Sequence, residues 1–275
     1  MRCLPLPARC RLAVLWLLIL SALPLPAQQT DSLPPHRVSR HTWLFGAGTA
    51  NLLDTYLSPL EYTGPNLTLL HRRERPVKWG GGKLTALTQT HGHVAYAKSP
   101  TDDGKEWDGE LSVASGWLCR IPLSSRWRLS AGALGELTSG FTYNTRGSNN
   151  PAQGRLGLSL LASAVAEGEF RLWKKTCLAR FQADAHVAGL QFAPEYGQSY
   201  YEIFSLGHTS GIVHPTWTGN CPTARLEATV SFPTGRNRWT FGYVADIRQS
   251  SLGGLKRHAW RHNLVVGYAF RCFKL

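Results

Sequence analysis

The sequence lacks the features that mark a helical membrane protein or a small zinc domain. After residue 27, no segment reaches the ~18 consecutive apolar residues that a transmembrane helix needs. There is no CxxC pair, and long stretches with helical periodicity are absent apart from a short helical turn expected over residues 51–57. A chain of this kind spans a membrane only as a closed barrel, because a barrel also satisfies every backbone group in hydrocarbon.

The first residues predict export. Arg2, Arg9 and Arg11 precede an apolar run over residues 12–25, and Ala27 offers a cleavage point, so residues 1–27 are predicted to be a secretory signal peptide. The run is too short for a membrane-spanning helix. A short linker is expected over residues 28–40, followed by a single domain over residues 41–275.

Acidic residues are scarce relative to basic ones. The formal net charge is +13, and removal of the signal peptide leaves +10. This surplus favours anionic neighbours, such as lipopolysaccharide phosphates or acidic lipids. Export and the lack of a DNA-binding motif argue against nucleic acid. The expected partners are outer-membrane lipid, lipopolysaccharide and the barrel-assembly machinery.

Four cysteines follow the signal peptide: Cys119, Cys177, Cys221 and Cys272. An exported chain can oxidise them, but the sequence does not define a pairing. So few cysteines do not make a dense disulfide framework, and the simpler interpretation is that they are small residues at strand ends.

What is present is strict two-residue alternation. In "ARFQADAHVAG", over residues 179–189, apolar Phe181 and Val187 alternate with Arg180, Gln182, Asp184 and His186. Residues 225–232 and 238–247 show the same pattern, which is typical of β-strands with one apolar and one polar face. Eleven strands are predicted, near residues 42–50, 65–73, 83–97, 109–120, 126–140, 154–170, 177–192, 199–212, 222–233, 237–248 and 259–273.

The connections favour an outer-membrane barrel. Tight ones over residues 121–125, 172–176 and 233–237 contrast with long polar ones over residues 98–108, 140–153 and 249–259. With both termini in the periplasm the strand number must be even, so an extra hairpin turning at Gly207 and Gly211 is expected. The predicted fold is all-β, a closed antiparallel up-and-down transmembrane β-barrel of about twelve strands.

Tryptophans near the strand ends support a membrane barrel. Trp117, Trp127, Trp173, Trp239 and Trp260 are expected to form interfacial girdles, although tryptophans also occur in ordinary cores. The last strand alternates well, but its terminal aromatic, Phe273, is displaced from the C-terminus by two residues.

Three motifs carry a family resemblance. "NLLDTYLSPLEYTGPN" at 51–66, "PEYGQSYYEIFSLG" with "SGIVH" at 194–214, and "GGLKRHAWRHNLVVGYAF" at 253–270 resemble an uncharacterised family of Bacteroidetes outer-membrane β-barrels known only as a domain of unknown function. The resemblance covers most of the mature chain and implies an exported barrel. It implies no reaction, ligand or catalytic residue.

Two groups of residues are candidates for a catalytic or metal-binding site. His208 and Ser210 in "GHTSG" point the same way if the segment is an extended strand, about 7 Å apart. With Glu202 or Glu227 orienting the base, they would suit a lipid hydrolase or acyltransferase. His91 and His93 share a strand face, but no further metal ligand is identifiable, so neither a metal nor a cofactor is expected.

The feature shared by most of the predicted strands is the presence of charged residues on their polar faces. The predicted lumen-lining residues are Arg180, Gln182, Asp184, His186, Arg225, Glu227, Arg238, Asp246 and Arg271, with Arg155 and Arg248 in similar positions. Paired charges can fill a narrow lumen, or an arginine excess can make a small pore that favours anions. The leading prediction is a non-enzymatic outer-membrane barrel, either such a pore or a filled envelope component. The alternatives are the His208–Ser210 enzyme and a soluble periplasmic lipid carrier.

Overall fold

In the computed structural model, residues 38–78, 82–121, 127–147 and 150–273 are described, and they form a closed antiparallel β-barrel. The elements are β1 (Val38–Asp54), β2 (Ser58–Pro76), β3 (Leu84–Lys98), β4 (Lys105–Ile121), β5 (Trp127–Asn144), β6 (Ala152–Leu172), β7 (Lys175–Phe192), α1 (Tyr200–Phe204), β8 (Val213–Trp217), β9 (Ala224–Thr234), β10 (Asn237–Leu252) and β11 (Leu255–Phe273).

The barrel closes between its first and last strands. β1 pairs with β11 along its whole length, from Val38 opposite Phe273 to Asp54 opposite Arg257. β7 pairs with β9 along one half and with β8 along the other, so β8 and β9 share one position in the sheet. Among the described residues, ten strand positions therefore close the barrel. The closed antiparallel barrel is confirmed, whereas the expected count of twelve is too high.

The difference lies in the segment 193–212, between β7 and β8. The strand predicted over residues 199–212 is wrong, because Tyr200–Phe204 is a short helix whose first turn is capped by Ser199 and Glu202. Gly207 and Gly211 adopt positive φ angles of 73° and 74°. They turn the chain as predicted, but they do so outside the sheet, so no extra hairpin forms.

Two further expectations near the strand ends are wrong. The helical turn expected over residues 51–57 is the end of β1 and a turn into β2. The long loop expected over residues 249–259 is a two-residue turn, because β10 and β11 continue pairing as far as Leu252 and Leu255. Gly253 and Gly254 have φ angles of 55° and 75°, as a tight hairpin turn with right-handed strand twist requires.

The strands run between two ends of the barrel. The end that carries Val38 and Phe273, here called the terminal end, also carries the two-residue turns 173–174 and 235–236. The opposite end carries the connections 55–57 and 99–104 and the segment 193–212. β1 begins at Val38, ahead of the domain boundary expected at residue 41. The predicted signal peptide lies outside the described residues.

The outer face is a belt of apolar side chains. Leu111, Leu137, Leu156 and Leu158 are each more than half exposed, and similar residues recur on the other strands. Aromatic side chains border this belt at both ends. Those near the terminal end include Trp43, Trp117, Trp127 and Trp239; those near the opposite end include Trp107, Tyr143 and Trp260.

One predicted girdle residue lies elsewhere. Trp173 occupies the turn between β6 and β7 and is 83% exposed, beyond the belt. In the part of the chain that the structure describes, no helix has the length and apolar character needed to cross a membrane.

Candidate functional site

The inner face of β7 places four polar residues inside the barrel. Arg180, Gln182, Asp184 and His186 are all buried, whereas Phe181 and Val187 on the other face are exposed. This separation follows from the two-residue alternation of a strand. The four inward side chains make up the first part of a charged network that extends along the barrel interior.

Near the terminal end, arginines from two sides of the barrel share two glutamates. Arg180 Nη1 lies 2.9 Å from Glu74 Oε1 and 2.8 Å from Glu167 Oε1. Arg40 also contacts both glutamates. Glu74 is on β2, and β9, β10, β11 and β1 separate that strand from β7 on one side of the sheet. The pair between Arg180 and Glu74 therefore crosses the lumen.

The next level is also bridged. Arg72 Nη1 on β2 lies 2.7 and 2.6 Å from the two carboxylate oxygens of Glu227 on β9. Gln182 accepts a hydrogen bond from Arg180 and donates to Asp184. Asp184 also accepts from Ser163 at 2.5 Å. These contacts link the glutamate level to the middle of the barrel.

Glu136 on β5 forms the centre of the third level. Its Oε1 lies 3.0 Å from Arg225 Nη2 on β9, and its Oε2 lies 3.1 Å from Arg248 Nη1 on β10. Arg248 Nε reaches Glu110 Oε1 at 3.0 Å. Asp246 takes part through Arg225, Arg248 and Arg261.

Asp108 on β4 holds the level nearest the opposite end. Arg261 Nη2 lies 2.5 Å from its Oδ2, and Arg155 Nη2 lies 2.7 Å from its Oδ1. Thr142 donates a hydrogen bond of 2.7 Å to the same carboxylate, and His93 Nε2 is 3.3 Å away. A carboxylate with this many donors is held in one position.

The network crosses the barrel interior at several levels. Ion pairs between non-neighbouring strands cross the interior at successive levels, and the participating side chains are nearly all buried. Toward the opposite end, the described residues line partly open cavities of about 40 and 20 Å³. A single water needs ~10–15 Å³, so these spaces suit only a few waters.

The segment 193–212 packs onto the opposite end. Tyr56 donates its hydroxyl proton to Gln198 O at 2.9 Å, and the Tyr200 hydroxyl accepts from Gly154 N at 2.5 Å. Ile203 of α1 is 2% exposed. These contacts tie the segment to the turn between β1 and β2 and to the start of β6.

The terminal end has a wider opening, here called the basic mouth. It is a cavity of about 160 Å³. The charged residues that line it are Arg40, Arg72, Arg128, Glu167, Glu169, Arg180, Arg236, Arg238 and Arg271. The sequence prediction included Arg180, Arg238 and Arg271. Unlike the deeper residues, Arg238 is half-buried and Arg271 is exposed.

Charge is distributed unevenly between the two ends. Around the terminal end, the strand ends and turns carry the basic residues Arg40, Arg72, Arg73, Arg75, Lys78, Lys83, Arg120, Arg128, Arg171, Lys174, Lys175, Arg236, Arg238 and Arg271. The acidic residues of the same region that the structure describes are Glu74, Glu167 and Glu169. Carboxylates such as Asp54, Glu106, Asp108 and Glu110 lie toward the opposite end. The net positive charge of the chain is therefore concentrated at the terminal end.

The predicted catalytic pair is not assembled. His208 and Ser210 lie in the exposed segment after α1, not on a strand, so the expected spacing on one strand face does not apply. The Glu202 carboxylate accepts hydrogen bonds from the backbone and hydroxyl of Ser199, which lower its pKa. Glu227 lies inside the barrel against Arg72. Glu227 is thus committed elsewhere, and Glu202, although close enough to His208 for an electrostatic interaction, caps the first turn of α1.

A third candidate metal ligand joins the two histidines that the sequence singles out. One ligand atom from each of His91, His93 and Asp246 lies within 4.8 Å of the others, all in the interior. Arg261 Nη1 is 3.0 Å from Asp246, and Arg225 Nε is 3.5 Å away. Guanidinium groups so close to the carboxylate already supply the positive charge that a metal ion would bring.

The four cysteines are free thiols. Cys119 and Cys272 are exposed near the terminal end, and Cys177 and Cys221 are buried. Cys119, Cys177 and Cys272 lie within three residues of the end of a strand, and Cys221 lies in the connection between β8 and β9.

Sequence reasoning missed most of the acidic half of the network. The residues concerned are Glu74, Asp108, Glu110, Glu136 and Glu167. Strand parity offered a signal: Asp108 and Glu110 are two residues apart on β4, and Glu136 lies between outward Gly135 and Leu137 on β5. Which arginine each carboxylate meets depends on the closure of the barrel, which local patterns do not specify.

Comparison with models of known protein families gives a match for this chain. The family described as "Protein of unknown function (DUF3316)" matches residues 11–275. The chain belongs to this family. The sequence-based resemblance to a family of unknown function is therefore confirmed for the DUF3316 chain, while its Bacteroidetes origin stays a prediction.

Solved structures give distant similarities. The DUF3316 chain resembles the outer membrane protease OmpT from Escherichia coli, with 8% identity, coverage of 89% of this chain and 99% of that one, and a TM-score of 0.47. The β-domain of a Bordetella autotransporter shares 13% identity, with coverage of 84% and 99% and a TM-score of 0.41. An outer membrane channel from Pseudomonas putida F1 shares 9%, with coverage of 90% and 100% and a TM-score of 0.38. No functionally curated protein matches the sequence.

Proposed function

We propose that this DUF3316 protein is a non-enzymatic β-barrel of the outer membrane with a closed lumen, an envelope component and not a pore. The observation that carries the proposal is the set of ion pairs that cross the barrel, such as Arg180 with Glu74 and Arg72 with Glu227. A barrel of ten strands is narrow enough for side chains of this length to meet across it.

The outer surface supports a lipid environment. Large apolar patches on a protein surface mark interaction sites, and here the apolar belt surrounds the barrel and is bordered by aromatic residues. Closure between β1 and β11 pairs the edges of the first and last strands, so that these edges do not face hydrocarbon. The expected partners are accordingly outer-membrane lipid, lipopolysaccharide and the machinery that assembles barrels, reached after export by the signal peptide.

The connections support one orientation. Bacterial outer-membrane barrels have short turns on the periplasmic side and longer loops outside. The turns 173–174 and 235–236 are at the terminal end. The opposite end also has short turns, at 55–57 and 253–254, but it carries the longest connection between described strands, the segment 193–212. We therefore place both termini and the basic mouth in the periplasm.

The buried ion pairs argue against a pore, and the positions of His208 and Ser210 argue against an enzyme. A permeating anion would have to displace buried carboxylates such as Glu136 and Asp108, each held by two or more arginines. The lipid hydrolase or acyltransferase is not favoured, because His208 and Ser210 do not lie on a strand face and Glu227 is held by Arg72.

The test of placement uses inserted epitopes. One tag is inserted between Asp102 and Asp103, at the opposite end, and another between Gly235 and Arg236, at the terminal end. Outer-membrane fractions should contain both tagged proteins. Antibody should bind the first tag on intact cells and the second only after the outer membrane is permeabilised. Recovery in the soluble fraction would overturn the membrane placement, and the reverse labelling would overturn the orientation.

A further inference from the structure

The basic mouth differs from the rest of the interior in how its charges are balanced. Deeper in the barrel, the guanidinium groups of Arg72 and Arg180 lie within 3 Å of carboxylate oxygens. At the mouth, Arg236, Arg238 and Arg271 have no carboxylate partner within 4.0 Å among the described residues. These three arginines are therefore unpaired among the described residues, whereas Arg40 and Arg128, which line the same cavity, both contact Glu167.

The unpaired arginines are gathered, not dispersed. All three line one cavity of about 160 Å³, in which Arg238 lies close enough to Glu169 for attraction and close enough to Arg40 and Arg271 for repulsion. Arg238 is half-buried and makes only a long hydrogen bond of 3.5 Å to Thr176 O. Like charges held together in a partly desolvated site are unfavourable, and an anion among them relieves that repulsion.

The chemistry of these groups indicates the class of anion. A guanidinium group presents a planar set of donors that fits two oxygens of a phosphoryl group at once. Several such groups around one cavity suit a ligand with several equivalent oxygens and more than one negative charge. The cavity is about ten times the ~10–15 Å³ that one water occupies, so a phosphoryl group fits.

We propose that the basic mouth is a binding site for a phosphoryl group, held by Arg236, Arg238 and Arg271. The chemistry is shared by a phospholipid headgroup of the inner leaflet and by a soluble phosphate compound. The site adds a ligand class to the proposed function. It rests on that function only for the side of the membrane from which the ligand approaches. Binding itself is a property of the cavity and is measurable in detergent.

The experiment is calorimetric titration of the full chain, purified in a neutral detergent. One arm uses sodium pyrophosphate, and the other uses mixed micelles containing phosphatidylglycerol, with phosphatidylcholine micelles as the reference. The test variant is the triple substitution R236Q/R238Q/R271Q. The matched control is R73Q/R75Q/R120Q, which removes the same charge from exposed residues of the terminal end that do not line the cavity.

Binding of pyrophosphate, or of phosphatidylglycerol in preference to phosphatidylcholine, supports the site if the test variant weakens it at least tenfold and the control changes it less than twofold. The arm that binds identifies the source. Absence of binding in both arms, or equal weakening by the two variants, overturns it. If the triple variant does not fold, Arg271→Gln replaces it in the test. This single variant should fold, because Arg271 is exposed near the end of a strand, and it must weaken binding at least threefold.

The result is separable from the proposed function. A protein that binds pyrophosphate but is recovered in the soluble fraction would retain the site and lose the membrane placement. A membrane-inserted protein that binds neither probe would lose only the site.

Discussion

Arg261 on β11 and Asp108 on β4 meet across the barrel, with Nη2 2.5 Å from Oδ2, although β1, β2 and β3 separate their strands in the sheet. Both side chains are at most 1% exposed. A pair like this constrains the barrel in a way that neighbouring-strand hydrogen bonds do not, because it fixes the distance across the lumen. The same is true of Arg180 with Glu74 and Arg72 with Glu227.

Neutralising Asp108 should destabilise the barrel strongly. Asp108→Asn leaves the guanidinium groups of Arg155 and Arg261 buried with less negative charge beside them. Removing one partner of a buried ion pair costs about 3–5 kcal/mol. The free energy of unfolding, measured by urea titration of liposome-inserted protein through tryptophan fluorescence, should fall by that amount.

The control for this change is Glu61→Gln. Glu61 is exposed on β2 and accepts one hydrogen bond, from Asn51. Its substitution should leave the unfolding free energy unchanged within error. A decrease for Asp108→Asn no larger than that of the control would show that the network does not stabilise the barrel.

The loss of stability caused by a charge on the apolar belt should depend on how deep in the membrane that charge lies. Val113 is at the middle of β4, and Ile121 is at its terminal end on the same outward face. Val113→Arg should cost about 2–4 kcal/mol and Ile121→Arg about 0–1 kcal/mol, because arginine is penalised most at the bilayer midplane. The same urea titrations check this. Equal costs at the two positions would mean that the belt does not face hydrocarbon.

The Tyr200 hydroxyl should hold the segment 193–212 against the rim. Tyr200→Phe removes its hydrogen bond with Gly154 N, worth about 1 kcal/mol. Local opening should therefore increase about fivefold. Initial rates of chymotrypsin cleavage after Tyr201 and Phe204, both exposed, report that opening. Tyr201→Phe preserves a cleavage site and should leave the rate unchanged, and a similar rise in both variants would contradict the role of Tyr200.

The sequence patterns predict the barrel, but they do not predict which side chains meet inside it. Alternation along residues 179–189 places Arg180 and Phe181 on opposite faces, because side-chain direction in a strand depends only on local geometry. The pattern over residues 199–212 predicts a strand, but the capping box of Ser199 and Glu202 starts a helix there. The partner of each lumen residue depends on closure and register, as for Arg72 on β2 and Glu227 on β9.

Single-channel recording in planar lipid bilayers tests the central claim, a lumen closed by its own side chains, most directly. Co-flotation of the protein with liposomes first establishes that it inserts. At increasing KCl concentrations the inserted protein should give no conductance steps, whereas a known porin in the same bilayers should. A variant in which Arg180, Glu74, Arg72 and Glu227 are all replaced by alanine should conduct if it folds, since two bridging levels are then removed. Regular steps from the unmodified protein, growing with salt concentration, would contradict a closed lumen.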